Sequence, residues 1–238
     1  MGVGAGLCMC DVVKKFTFAI SSPDEFLLSC IEEYFSLLLN KQVSEYCTEQ
    51  KEPAVNGILV QQHFGGSAFF NRSWEEFKVG FGNTSGNYWI GNERLHQLTN
   101  GRQYKLRVDL LSRFTGRWYW AEYGGFSVAD ELSDYTLFVS DYSGNAGDGM
   151  TVDGVTDYNL NGVKFNTYDR HTITFRCISA SNENVVGGFW YALGGLWNCG
   201  QALVNRQSPN FAWKSLPLGT RSANQVALLK SRMTLLQK

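Results

Sequence analysis

From residue 57 onward, short apolar or aromatic runs alternate with glycine-containing turns, and this pattern constrains the fold more than any other feature. Residues 104–110 (YKLRVDL) alternate apolar and polar side chains, as expected for a strand with one buried face. Residues 118–123 and 135–139 are rich in aromatic and β-branched side chains and predict two further strands. Residues 141–149 predict a turn-rich loop. The pattern therefore predicts an α+β domain dominated by antiparallel strands.

The first 56 residues have a different character. Pro23 is followed by acidic residues, as at the start of a helix, and apolar residues then recur at helical spacing from Phe26 to Leu38. This spacing predicts one amphipathic helix that packs against a partner surface or a core. The sequence thus predicts an atypical N-terminal segment over residues 1–56 and a second domain over residues 57–238.

The composition supports a folded, turn-rich chain. It contains 25 glycines, 7 tryptophans and 11 tyrosines beside 4 prolines, and 44% of its residues are hydrophobic against 18% charged, enough to bury a sizeable core. The net charge of −1 gives no general attraction to nucleic acid or an anionic membrane. The most apolar segment, residues 26–39, contains two glutamates and is too short to span a bilayer. We expect neither a nucleic-acid partner nor membrane insertion.

Cysteines and glycosylation motifs are compatible with an extracellular protein. The six cysteines are Cys8, Cys10, Cys30, Cys47, Cys177 and Cys199. They contain no C-x-x-C pair that would indicate a zinc ribbon, and their even number permits disulfides, with the pairing of the first four left open. Asn71 and Asn83 each begin an N-glycosylation triplet. The first 15 residues lack the apolar run of a secretory signal, so either the chain is not secreted or its true N-terminus is missing or replaced in this sequence.

Three runs identify a family. They are FNRSWEEFKVGFGN continuing through YWIGNERLHQLT, then YKLRVDL with AEYGGFSVADE, and finally DYSGNAGD, in this order between residues 70 and 148. Together they resemble the fibrinogen C-terminal domain family, which includes fibrinogen chains, ficolins, angiopoietins and tenascins. The resemblance covers roughly residues 57–235 and implies a mainly antiparallel β-domain with short helices and long loops. The aromatic residues of the motif are expected to pack in the core.

The resemblance also implies a calcium loop, which this chain retains only in part. The matching run is TYDRHT, residues 167–172, where Asp169 keeps one carboxylate and His171 stands where the family has the next. Calcium prefers six to eight oxygen ligands, and imidazole is a poor ligand for so hard an ion. We therefore expect no cofactor, with Asp169 as the remaining candidate calcium ligand. The alternative is that Asp169 caps or ends a turn.

A late disulfide is implied by the same resemblance. The family has a cysteine pair around its ligand pocket, and Cys177 and Cys199 are the matching residues. The alternative is that both remain buried thiols.

Lectin members of the family bind an acetyl group in a small aromatic pocket beside the second cysteine. The matching aromatic residues here are Phe189, Trp190, Tyr191 and Trp197. No histidine follows Cys199, and the later tyrosine-rich stretch of the family is replaced by KSLPLG. These four side chains are the candidate ligand-binding residues, and core packing is the alternative.

No catalytic residue is predicted. The three histidines stand far apart in the sequence, and the chain has no nucleophile elbow, phosphate-binding loop, zinc-protease motif or dinucleotide fingerprint. By analogy with the family, we expect a secreted recognition module that binds glycans, acetylated sugars among them, in innate-type recognition. The alternative is an extracellular module that binds a protein receptor or has a structural role, with no working lectin pocket. The oligomeric state is left open, since no sustained heptad repeat is present.

Overall fold

The computed structural model divides the chain into two compact units, residues 1–52 and 53–238. The predicted amphipathic helix of residues 26–38 falls in the first unit and lies outside the described residues. The structure describes residues 52–65, 68–151, 159–171, 187–192, 200–206, 210–217 and 227–238.

Antiparallel strands dominate the described part of the chain, as predicted. The strands are β1 (Ile58–His63), β2 (Phe81–Gly82), β3 (Tyr88–Trp89), β4 (Tyr104–Ser112), β5 (Trp118–Val128), β6 (Leu137–Gly144), β7 (Ala202–Leu203), β8 (Ala212–Trp213) and β9 (Leu228–Gln237). The helices are α1 (Trp74–Val79), α2 (Asn92–Thr99) and a 3-10 helix (Glu131–Ser133). The three predicted strands correspond to β4, β5 and β6.

The last strand lies inside the main sheet. Seven strands form this sheet in the order β2-β3-β1-β9-β4-β5-β6, and every neighbouring pair is antiparallel. Met233 of β9 pairs with Gln61 of β1 on one side and with Val108 of β4 on the other. Because β9 separates these two strands, the start and the end of the second unit are held together by the same backbone ladder.

Helix α1 begins at a capping box. The Ser73 hydroxyl accepts a hydrogen bond from the backbone N–H of Glu76, and the Glu76 carboxylate accepts one from the backbone N–H of Ser73. Gly80, at φ 98°, ends the helix, and a side chain there would lie 2.7 Å from the carbonyl oxygen of Ile90. The helix therefore has a fixed start and stop, which fixes the face that it presents to the core.

An aromatic core lies beneath α1. The Phe77 ring packs against Phe165 and Trp89, with ring centroids 5.1 and 5.5 Å away, and the Trp190 ring is 5.0 Å from that of Phe165. Gly188 permits this packing, since a Cβ at that position would lie 2.5 Å from the Phe77 ring. Trp74, Phe77 and Trp89 are buried, which confirms the core role predicted for these motif residues.

Strand β6 is longer than the sequence predicts. Residues 141–144 were expected to start a loop, but they remain paired with β5, Tyr142 opposite Tyr123. Asp141 takes a left-handed conformation at φ 59° and lies opposite Gly124, and the register of the two strands is the same on both sides of this position. A Cβ at Gly124 would come within 2.9 Å of the Asp141 side chain. Gly124 of β5 therefore leaves room for the Asp141 side chain, and β6 continues past a residue whose left-handed conformation usually ends a strand.

His63 is a buried imidazole in an aromatic setting. Its ring lies 4.8 Å from Phe70 and 4.2 Å from Phe211, and its Nδ1–H donates to the carbonyl of Val204 at 2.9 Å. Nε2 has no hydrogen-bond partner within the described residues. Burial lowers the pKa of His63 from 6.5 to about 4, although the bond to Val204 opposes the shift. The folded protein therefore holds this imidazole neutral.

We expect stability to fall on mild acidification because of His63. The unfolded chain takes up a proton near pH 6.5, whereas the folded chain resists it until about pH 4, so the stabilisation is complete above pH 6.5 and is lost as the pH falls. The loss between pH 7 and pH 5 is about 2 kcal/mol. Urea unfolding of H63Q should show a smaller pH dependence by that amount. An unchanged pH dependence in H63Q would contradict this account.

Candidate functional site

Trp74, the first residue of α1, joins three segments of the chain. Its backbone N–H donates to the Asp169 carboxylate at 2.9 Å, and its indole N–H donates to Glu131 of the 3-10 helix at 2.8 Å. Its ring stacks on Tyr135 at 5.5 Å, and the guanidinium of Arg170 lies 3.9 Å from the ring centroid. One buried residue, through its backbone N–H and its indole, thus links helix α1, the 3-10 helix and the loop of residues 167–170.

Ion pairs extend this arrangement across the surface. Lys78 pairs with Glu131 at 2.8 Å, and Arg170 contacts Glu131 at 3.6 Å and also pairs with Asp134. The hydrogen bond from Lys78, and next that from the Trp74 indole, lower the pKa of Glu131, so this carboxylate remains charged at neutral pH. Each exposed pair adds little stability, but together they hold the charged groups in fixed positions.

Three apolar side chains are exposed on the same three segments. Val79 is 70% exposed at the end of α1, Leu132 is 95% exposed in the 3-10 helix, and Tyr168 is 47% exposed in the loop. Scattered exposed apolar residues are ordinary, but these lie on segments joined by one network and are accompanied by fixed charges. We call this set the Trp74 surface; it comprises Trp74, Val79, Glu131, Leu132, Tyr168 and Arg170.

This surface is suited to binding. Apolar groups amid charged ones are the usual anatomy of a protein-recognition surface. No group of three or more His, Cys, Asp or Glu side chains that would hold a metal ion occurs in the part of the chain that the structure describes.

Comparison with known proteins places the chain in a family. The family model for the C-terminal globular domain of the fibrinogen beta and gamma chains matches residues 32–210. This chain belongs to the fibrinogen C-terminal domain family. The match begins inside the segment assigned above to the N-terminal extension, so the boundary at residues 56 and 57 stays a prediction.

Curated relatives and a solved structure agree with this assignment. Fibrinogen-like protein A of Apostichopus parvimensis is 32% identical over 177 residues, covering 74% of this chain and 60% of that protein. Human angiopoietin-related protein 2 is 36% identical over 152 residues, covering 64% of this chain and 29% of that protein. The fibrinogen-like globe domain of human ANGPTL2 superposes with a TM-score of 0.59 at 28% identity, covering 79% of this chain and 83% of that domain. The chain therefore spans 60% or less of the length of these two curated relatives.

The aromatic residues predicted to bind an acetyl group are placed in the core. Phe189, Trp190 and Tyr191 have no solvent exposure. The Trp190 indole N–H donates to the carbonyl of Tyr135 at 2.7 Å, and the Tyr191 hydroxyl donates to the carbonyl of Gly187. Burial raises the pKa of Tyr191 to about 12. Core packing, the alternative reading, therefore describes these three rings, and Trp197 lies outside the described residues.

Asp169 acts as a cap for α1. Both of its oxygens accept from the backbone N–H of Trp74, and Oδ1 also accepts from the Thr167 hydroxyl at 2.8 Å. Among the described residues, no group of three or more His, Cys, Asp or Glu side chains includes Asp169. The contacts of Asp169 match its alternative role at a turn, and calcium binding stays a prediction.

The two glycosylation triplets are on the surface. Asn71 and Asn83 are both exposed. The Asn83 side-chain oxygen accepts from the backbone N–H and the hydroxyl of Ser85 at 3.1 and 2.7 Å, which forms a compact turn. Ser73 of the other triplet is engaged in the capping box of α1. Cys177 and Cys199 lie outside the described residues, so their disulfide stays a prediction.

Sequence reasoning missed the residues of the Trp74 surface. Their one available signal was the S-x-x-E pattern of Ser73 and Glu76, which marks the start of a helix and so brings Trp74 to its first turn. No local pattern indicates that Leu132 or Tyr168 is exposed, or that Arg170 covers the Trp74 ring. These contacts join residues about 60 to 95 positions apart in sequence, so they depend on the fold.

The cap on α1 predicts the effect of changing Asp169. D169A removes the acceptor for the first N–H of the helix and should lower the free energy of unfolding by about 1 kcal/mol in urea titrations. D169N keeps one oxygen acceptor and should lose less. E75A, on the exposed side of the same helix, is the matched control and should lose almost nothing. Calcium or a chelator should leave the wild-type midpoint unchanged. A midpoint that rises with calcium and falls with chelator would contradict this role.

Proposed function

We propose that this chain is an extracellular recognition module that binds a protein ligand through the Trp74 surface. The observation that carries the proposal is the combination of Leu132, 95% exposed, with a charged network held in place by one buried tryptophan. Leu132 contributes nothing to the core of its own chain, and a partner that covered it would remove its apolar surface from water. Membership of a family of recognition modules supports the same role.

A protein ligand is favoured over an acetylated sugar. The acetyl pocket of the lectin members requires accessible aromatic walls, and the rings at positions 189–191 are buried here. The chain is also similar to angiopoietin-related protein 2, with over a third of positions identical in the matched region. This similarity supports the protein-binding alternative. The Trp74 surface presents apolar side chains and charges of both signs, which suits a protein partner.

An extracellular location is part of this proposal. Asn71 and Asn83 are both exposed, so attached glycans would not disturb the fold. We propose Asn83 as the better site because its whole triplet is exposed, whereas Ser73 of the other triplet is half-buried in the capping box of α1. The proposed disulfide between Cys177 and Cys199 fits the same compartment. No helix in the described segments has the length and apolar character needed to span a bilayer.

We propose binding without catalysis. His63 donates to the carbonyl of Val204, and His96 makes a hydrogen bond to the carbonyl of Val128, so both imidazoles serve the fold. A catalytic base needs a reacting group within hydrogen-bond reach, and each of these rings is turned to a backbone carbonyl instead. A role in recognition is consistent with both contacts.

The test is binding of the fluorescently labelled, glycosylated chain to cultured endothelial and epithelial cells. We expect saturable binding that trypsin treatment of the cells removes and that free N-acetylglucosamine does not compete away. L132D should weaken it at least tenfold, because a charge at the centre of an interface leaves an unpaired group on binding. F114D is the control, since Phe114 is 60% exposed on the turn between β4 and β5.

Two outcomes separate the parts of this proposal. Wild-type binding by L132D, in a sample that unfolds like the wild type, would remove the Trp74 surface as the contact. Competition by free sugar, or retention on trypsin-treated cells, would remove the protein ligand.

A further inference from the structure

A second surface feature lies away from the Trp74 surface. A cleft of about 640 Å³ opens where β5 and β6 pair, beside the start of β4 and the end of β9. Volumes of this size are usual for sites that take small molecules or one unit of a larger ligand.

Small side chains create the cleft. Gly125 of β5 pairs with Ser140 of β6, and Ser127 pairs with Phe138, so these four residues share one face of the sheet. Three of them are too small to fill that face, and Phe138 stands beside them as a half-exposed aromatic wall. The result is a depression with a flat apolar side.

The far side of the cleft is cationic. Arg102 lines it and is exposed, and no acidic side chain is among the residues that line it. Within the described residues, the Arg102 guanidinium has no ion pair, and the Gln103 amide and Ser127 hydroxyl have no hydrogen bond. A ligand would therefore meet free donors and an unpaired positive charge.

An added peptide strand would not find open backbone groups beside Phe138. The N–H of Leu137 donates to Val163 at 2.9 Å, and the N–H of Gly162 donates back to Leu137 at 2.7 Å. The N–H of Val139 donates to the side chain of Asn161 at 3.0 Å. This edge of the sheet is already paired, which removes the backbone contacts by which an extended peptide binds a sheet. Recognition here must use side chains.

We propose that this cleft binds an acidic sugar unit, such as a hexuronic acid. The C–H face of the sugar ring packs on Phe138, its carboxylate is bound by Arg102, and its hydroxyls meet Gln103 and Ser127. A charge-assisted pair with a guanidinium supplies the preference for the acid over a neutral sugar. The proposal does not rest on the protein ligand, since the cleft and the Trp74 surface share no residue.

The experiment is calorimetric titration of the full chain with glucuronic acid. Galactose and N-acetylglucosamine are the neutral comparators, and the tetrapeptide Asp-Glu-Asp-Glu tests a protein source of the same charge. We expect glucuronic acid to bind and the neutral sugars and the peptide to bind at least tenfold more weakly. R102Q and F138A should each weaken glucuronic acid binding roughly tenfold, and added salt should weaken it in the wild type.

Matched controls lie at the opposite end of β4. R113Q removes an exposed arginine and F114A an exposed phenylalanine, so both should bind glucuronic acid as the wild type does. L132D should also retain sugar binding, which keeps this test separate from that of the protein ligand. The proposal is overturned if glucuronic acid does not bind at millimolar concentration, or if R102Q and F138A bind as the wild type. It is equally overturned if the peptide or a neutral sugar binds as well as the acid.

Discussion

The hydrogen bonds of Trp74 are the interaction on which the recognition surface depends. Its backbone N–H, left without a partner by the helix, is satisfied by Asp169, and its indole N–H is satisfied by Glu131. Because both acceptors lie on other segments, closing these two bonds places three separate pieces of chain side by side. Arg170 then covers the outer face of the ring, and the charges and exposed apolar groups follow from that geometry.

The packing of the core explains why the aromatic residues of this family indicate which fold a chain has but do not indicate which ligand it binds. Phe77, Phe165 and Trp190 pack ring against ring, and Gly188 is small because Phe77 occupies the space above it. A ring in such contact is fixed by its neighbours and offers nothing to a ligand. In this chain, binding is therefore better sought in the loops and short helices that the core positions.

Sequence alone predicted what depends on local pattern. Strand β4 was predicted because apolar and polar side chains alternate over residues 104–110, as they do in a strand with one buried face. The role of Trp190 was not resolved, because a run of aromatic residues in the sequence does not show whether their rings line a pocket or fill a core.

The candidate site could not be predicted because its contacts are long-range. Asp169 lies 95 residues from the N–H that it caps, and its place in a calcium motif suggested another role. The exposure of Leu132 likewise depends on the tertiary fold, because no other segment of the described chain covers it, and no local sequence pattern indicates this. The continuation of β6 past Asp141 required Gly124 opposite it, a pairing that becomes visible only once β5 and β6 are aligned.

The most direct test of this account is the cell-surface binding of W74F. The phenylalanine keeps an aromatic ring but loses the indole bond to Glu131, so the chain should fold with slightly reduced stability and bind at least several-fold more weakly. W89F is the matched control: it loses a buried indole bond to Phe77 and Asn92, away from the surface, and should lose stability without losing binding. Equal binding by folded W74F and the wild type would contradict the claim that Trp74 organises the recognition surface.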